Sequence, residues 1–333
     1  MKTKTPGIGF LAACAVAVGL LAAPAQAEQS LYVYTSMKES LIGQLKAEFL
    51  KRNPGIKMDA QSAGAGKLMA KIAAERESGK ILADVLWTSE VPDFYQLKQE
   101  GLLQPYTPKE IGALRNPFAD YDGSFTAVRL GTLGIAYNTR FVKTAPKGWD
   151  DLKGADFKGA FGIANPALSG TAYMSVAAMA NAFGWQFFED LRANRAKMGQ
   201  GSGQVVDDTA SGDLKGSLAV DYITIDKMQK GATLALVYPP QMLVIPSPIA
   251  IFRNSPNQEA AKAFIDFVLS KEGQTIIAAE GTLPVRGDVP LLQGFNLPTV
   301  DDAMKRALPL DYPKMMAEKE ATVKKFTEIM QKK

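Results

Sequence analysis

"LYVYTSMKES", residues 31–40, sets the reading of this chain. Leu31 to Tyr34 is the apolar run of a buried strand. It passes straight into Thr35, Ser36 and a helical pattern, with neither proline nor a charged loop between. A helix that begins where a strand ends offers free backbone N–H groups and the positive end of a dipole, which suits an anion. Ser and Thr also cap helices for purely structural reasons, so the junction gains meaning only if the rest of the chain supplies partners for it.

Outward from that stretch, strand and helix alternate. "ESLIGQLKAEFLKRNP" carries Leu41, Leu45 and Phe49 on one face and stops at Asn53-Pro54-Gly55. "IKMDAQSAG" reads as a strand and turn, "GKLMAKIAAERESG" as a helix, "ADVLWTS" as a third strand, and Phe94 to Gly101 as a short helix. The pattern restarts after Tyr137. "FKGAFGIANP" is a strand, Ser169-Gly170-Thr171 opens an apolar helix through Phe183, and "WQFFEDLRANRAKM" is another helix. "GSLAVDYITIDKMQKG" is a strand running into a helix, and "LALVYP" is a strand. "NQEAAKAFIDFVLSKEGQTIIAAEG" is two helices broken at Ser270. Such order predicts an α/β fold in two lobes, each a mixed, mostly parallel sheet flanked by helices. Extended crossings near 128–137 and 245–252 form the hinge. The expected division is 28–127 with 245–285 in the first lobe and 128–244 with 286–333 in the second. Ligands in open α/β sheets bind outside the carboxyl ends of strands, here the cleft between the lobes.

The bulk numbers exclude much. Lys2 and Lys4, an apolar run from Ile8 to Ala23 and the small-x-small site Ala25-Gln26-Ala27 read as a cleaved secretory leader, residues 1–27. A membrane anchor would need a longer run than this one, which ends at Pro24. A lipoprotein site at Leu11-Ala12-Ala13-Cys14 would set its cysteine midway through the apolar region. Removing 27 of 333 residues leaves 306 and lowers the formal charge from +4 to +2, which argues against a nucleic-acid partner. Cys14, the only cysteine, leaves with the leader, and the chain has no histidine. Ser-His and Cys-His catalysis and every His-bearing metal site are therefore excluded. An exported carboxylate-dependent enzyme is the remaining catalytic alternative; the expectation is no enzyme and no cofactor.

The residues that follow the predicted strands form a set of small hydroxyls and glycines: Thr35 and Ser36; Ser62 and Gly64; Thr88, Ser89 and Glu90; Ser169, Gly170 and Thr171; then Ser202, Gln204, Asp207, Asp221 and Tyr222. Neutral N–H and O–H donors of this kind can surround an oxyanion, although each alone is an ordinary cap or turn. Other motifs give way to plainer readings. "SAGAGKLM" has Leu68 where a phosphate-binding loop needs Ser or Thr, and "GQGSGQ", residues 199–204, lacks the strand–helix context of a dinucleotide site. Asp207-Asp208 reads as a solvated turn rather than a metal pair, while Trp87 and the methionines Met58, Met69, Met174 and Met179 read as core.

With these residues in view, the chain resembles the periplasmic solute-binding proteins of ABC importers. Within them it is similar to the two-lobed, two-hinge-strand type II cluster that covers ferric-ion, phosphonate and phosphorylated-sugar binders. The likeness is carried by "VYTSMKES", "ADVLWTSEVPDFYQLKQEGLL", "GTLGIAYNTR", "IANPALSGTAYMSVAAM", "AVDYITIDKMQKGA", "LVYP" and "NQEAAKAFIDFVLSKEGQTIIAAEGTLPVR". It implies a monomer in the periplasm, a small anionic solute, and an inner-membrane permease as partner. Ferric members use adjacent tyrosines; the matching "AVDYITID" keeps only Tyr222, with Asp221 before it. Iron thus remains an alternative through Glu90, Asp221 and Tyr222, poor provision for a hard trivalent cation. The residue chemistry favours a phosphonate or sugar phosphate. Thr35, Ser36, Ser62, Ser169, Gly170 and Thr171 would grip the anion. Asp221, with Glu90 or Asp207, would accept from hydroxyls or an ammonium, and Tyr222 would contact the ligand's body.

Overall fold

A computed structural model describes residues 1–3, 29–115 and 117–332. Apart from its first three residues, the expected leader, Cys14 included, lies outside the described residues. From Gln29 the chain alternates: β1 (Gln29–Thr35), α1 (Glu39–Arg52), β2 (Ile56–Ser62), α2 (Ala65–Glu77), β3 (Val85–Trp87), α3 (Val91–Gln99) and the short β4 (Leu103–Gln104). β1 lies parallel to both β2 and β3. The helix faces are as expected, with Leu41, Leu45 and Phe49 of α1 buried, and Trp87 has no exposure.

The long strand β5 (Thr126–Asn138) then leads away to β6 (Phe161–Ala164), α4 (Gly170–Phe183), α5 (Gln186–Ala193), β7 (Lys197–Gly199), α6 (Ser202–Ser211), β8 (Gly216–Val220), α7 (Asp221–Gln229) and β9 (Leu234–Val237). β10 (Leu243–Phe252) returns, followed by α8 (Gln258–Leu269), α9 (Lys271–Ala279) and β11 (Leu283–Pro284). Ser270 divides α8 from α9 and accepts from the Gly273 amide at 3.2 Å. The chain closes with α10 (Val300–Arg306) and α11 (Tyr312–Gln331).

The strands follow the order β2-β1-β3-β10-β5-β8-β6-β7, with β4 on β10 and β9 and β11 on β5. Parallel strands flank each side, and the antiparallel pair β5–β10 joins them. The halves of β5 face different neighbours. Arg129 and Leu130 pair with β11, and Leu133 to Tyr137 pair with β8. Every residue of β5 and β10 is buried. Pro246 and Pro248 interrupt β10 around Ser247, where the register with β5 shifts, since proline has no N–H to donate to a ladder. These two strands are the hinge crossings of a type II, two-lobed architecture.

One detail departs from the sequence reading. The helix expected over residues 185–198 ends at Ala193. Arg195 takes a positive φ of 62°, and Lys197–Gly199 turns into a strand parallel to β6. Sheet pairing has overridden local helix preference there. α11 packs on α4 and α5 and also on α3. Tyr173 of α4 donates to the Met315 carbonyl, while Tyr312 stacks on Tyr95 at 5.7 Å between centroids.

Candidate functional site

A cavity of about 400 Å³ opens between the lobes. Its walls are helix starts. Lys38, Gly64, Ser169, Gly201 and Val220 are the N-cap residues of α1, α2, α4, α6 and α7, and all five line it. Each helix start leaves backbone N–H groups without intrahelical partners and carries roughly half a positive charge. Five such ends around one cavity make a field for negative charge, assembled from both lobes.

Arg129 lies at the floor. It is only 1% exposed, yet it lines the cavity. Its Nη1 donates to Thr282 Oγ1 at 2.8 Å, its Nη2 to Ser89 Oγ at 3.4 Å, and its guanidinium lies 4.5 Å above the Tyr222 ring. Asp221 faces it at 3.6 Å. Lys38 lies over the same tyrosine ring at 5.4 Å and pairs with Asp226 at 3.3 Å and with Glu280. Lys67, exposed at the mouth, has no acidic partner among the described residues.

One wall is a triangle of hydroxyls. Ser169 Oγ lies 3.1 Å from Thr171 Oγ1 and 2.8 Å from Ser202 Oγ, and Thr171 lies 3.0 Å from Ser202. Rotatable hydroxyls that bond one another can turn their hydrogens toward an incoming oxyanion without leaving a group unpaired. Opposite, the lobes touch through backbone. At Gly64 and Gly66 a Cβ would collide with the carbonyls of Leu168 and Ala167.

The expected site residues divide. Ser36, Ser62, Gly64, Ser89, Ser169, Gly170, Thr171 and Tyr222 line this one cavity. Thr35, Thr88, Glu90, Asp207 and Asp221 do not. Thr35 is fully buried, and its hydroxyl accepts from the Met37 amide at 3.1 Å. Thr88 is equally buried, behind Ser89. Ser62 lines the cavity, but its hydroxyl proton goes to the Met37 carbonyl at 2.5 Å. Asp207 lies within α6, paired with Lys227 at 2.5 Å.

Asp221 is completely buried, and its oxygens are taken. They accept from the Thr132 amide and hydroxyl at 2.8 and 3.0 Å, Thr282 at 2.9 Å and the Tyr222 amide at 2.6 Å. Burial raises its pKa, while Arg129 and the two amides hold it down. Glu90 and Asp93 share Lys319 of α11, at 2.5 and 2.7 Å. Burial and then the Asp93 charge raise the Glu90 carboxyl to about 8. Burial opposes charge on Lys319, yet these two carboxylates push its pKa up.

Four lining groups were missed by sequence reasoning. Arg129 had a signal: it is the single charged residue in an otherwise apolar or neutral strand. Gly201 and Gly203 flank the expected Ser202 in "GQGSGQ", whose glycines form a helix start rather than a dinucleotide turn. Lys38 and Lys67 lie shortly after the ends of β1 and β2, at the starts of α1 and α2.

This geometry, a cleft between two α/β lobes joined by paired crossing strands and walled with helix starts, defines a solute-binding protein. The chain belongs to the bacterial extracellular solute-binding protein family, whose match runs over residues 30–283. It is 26% identical over 81% of its length, and 83% of the relative's, to a periplasmic protein of Salmonella typhimurium named for binding 2-aminoethylphosphonate. It is 28% identical to an uncharacterised Haemophilus influenzae protein, covering 80% of each. Among solved structures it is similar to the periplasmic binding protein AfuA of Actinobacillus pleuropneumoniae with fructose-6-phosphate bound (25% identity, TM-score 0.80, 91% of this chain and 98% of that one). It also shares its fold with iron-bound HitA of Pseudomonas aeruginosa (23% identity, TM-score 0.76, 90% and 99%).

Proposed function

We propose that this chain is the solute-capturing component of an ABC import system, working in the periplasm and delivering an oxyanion-bearing small molecule to an inner-membrane permease. The ligand class is a phosphonate or phosphorylated sugar. The observation that carries the reading is the convergence of five helix starts and the buried Arg129 on one cavity. Groups of that kind stabilise developed negative charge through charge-assisted hydrogen bonds. The named specialities of the Salmonella relative and of AfuA point the same way.

In this reading Ser36, Ser169, Gly170, Thr171 and Ser202 hold the anionic group, Arg129 donates hydrogen bonds to it from below, and the Tyr222 ring contacts the ligand's body. Residues 28–127 with 245–285, and 128–244 with 286–333, are the two lobes. They close by rotation about β5 and β10, bringing Gly64 and Gly66 onto residues 167 and 168.

Iron fits less well. Burial raises the Tyr222 pKa, and Asp221 has no free oxygen. Among the described residues no three His, Cys, Asp or Glu side chains are grouped to hold a metal ion.

Native mass spectrometry of the protein as purified, with identification of what denaturation releases, tests the reading. A phosphate- or phosphonate-bearing molecule at one per chain is expected; a ferric ion would overturn it.

A further inference from the structure

Among the described residues the cavity carries Arg129, Lys38 and Lys67 on its lining, and no aspartate or glutamate. Carboxylates stand close behind it, but each already has a cation. Asp221 faces Arg129 and accepts hydrogen bonds from Thr132, Thr282 and the Tyr222 amide. Glu90 is held by Lys319, Asp207 by Lys227, and Asp226 by Lys38. The lining offers instead neutral groups with oxygen or nitrogen at the tip: Ser169, Thr171, Ser202 and Gln200.

From this, and resting on the function proposed above, we infer that the site selects an oxyanion whose body is hydroxylated and carries no amine, and discriminates against aminoalkylphosphonates. An ammonium brought into this cavity meets Lys67 and five positive helix ends, while the carboxylates behind the lining are already engaged by Arg129 and Lys38. Burying an unpaired charge is among the most costly events in recognition. Hydroxyls meet the opposite situation, since Ser, Thr and Gln side chains both donate and accept.

The discrimination is built from pairings rather than from shape. Arg129 is the cation that attracts the ligand's oxyanion, and it also occupies the one carboxylate, Asp221, at the root of the cleft. A carboxylate placed on the rim should therefore reverse the preference. Gln200 is exposed and lines the cavity, so Gln200→Glu supplies one there.

Titration calorimetry of the full chain with ethylphosphonate, 2-aminoethylphosphonate, glucose 6-phosphate and glucosamine 6-phosphate tests this in matched pairs. The amine-free member of each pair is expected to bind at least tenfold more tightly, with glucose 6-phosphate the tightest of the four. Gln200→Glu is expected to close both gaps several-fold. Equal or tighter binding of the amino members would overturn the inference and leave the oxyanion reading intact. Gaps untouched by Gln200→Glu would overturn the charge account of selectivity. Binding of none of the four would overturn the oxyanion reading itself.

Discussion

Two buried ion clusters stand about the cleft, and they are built differently. At the floor, Arg129 and Asp221 are one charge against one, and every Asp221 oxygen has donors. At the closing edge, one ammonium, Lys319, serves two carboxylates, and Glu90 Oε1 and Asp93 Oδ2 have no hydrogen-bond partner beyond that ion pair. The floor is balanced before any ligand arrives, so the ligand's charge is met by helix starts and by the unspent donors around Arg129. The edge is one charge short, and a proton supplies it, as the raised Glu90 pKa reflects. Balance serves recognition in one place; imbalance makes the other sensitive to pH.

The comparison breaks most severely at Arg129. Arg129→Met leaves Asp221 buried without its cation and should cost about 3–5 kcal/mol in denaturant unfolding, with phosphate binding abolished. Adding Asp221→Asn should restore most of the stability and none of the binding. Recovery of both would mean that Arg129 serves the fold alone. Lys319→Met should cost less, about 2 kcal/mol near neutral pH, because Glu90 already carries a proton there and only Asp93 is stranded. Equal losses for the two variants would erase the distinction between the clusters.

The pH dependence follows from Glu90, whose pKa rises from 4.5 when unfolded to about 8 when folded. Between those values the folded chain holds the extra proton, so stability falls as pH rises across that window. One such group gives a slope approaching ~1.4 kcal/mol per pH unit. Urea midpoints at pH 5, 6.5 and 8 should show that decline, and Glu90→Gln should flatten it. The smallest effect belongs to Lys67. Lys67→Met should change stability by less than about 0.5 kcal/mol and slow phosphate association only at low salt. A larger loss would move Lys67 from the mouth into the site proper.

Much of this was legible in the sequence. Strand–helix alternation depends on local periodicity, and hydroxyls and glycines at strand ends mark helix starts by capping chemistry alone, so Ser36, Gly64, Ser169 and Thr171 are found together in the cleft as expected. What the sequence hid was register and distant pairing. Asp221 follows a strand end just as Thr171 does, and nothing local says that β5 brings Arg129 and Thr132 against it. Glu90 likewise looked available, because its partner comes from the far end of the chain, on α11. Arg129 was visible as an isolated charge in an apolar strand. Its depth was not, because that depends on how Arg129 pairs with Ser247 and Pro284.

The contact of Gly64 and Gly66 with residues 167 and 168 has one more consequence. Main chain meets main chain there, with no side chain to yield, so the jaws have no tolerance at this point. A single methyl group, as in Gly66→Ala, would act as a doorstop. It would leave the anion grip chemically whole and the protein unable to shut, which makes it a way to trap the open shape for study.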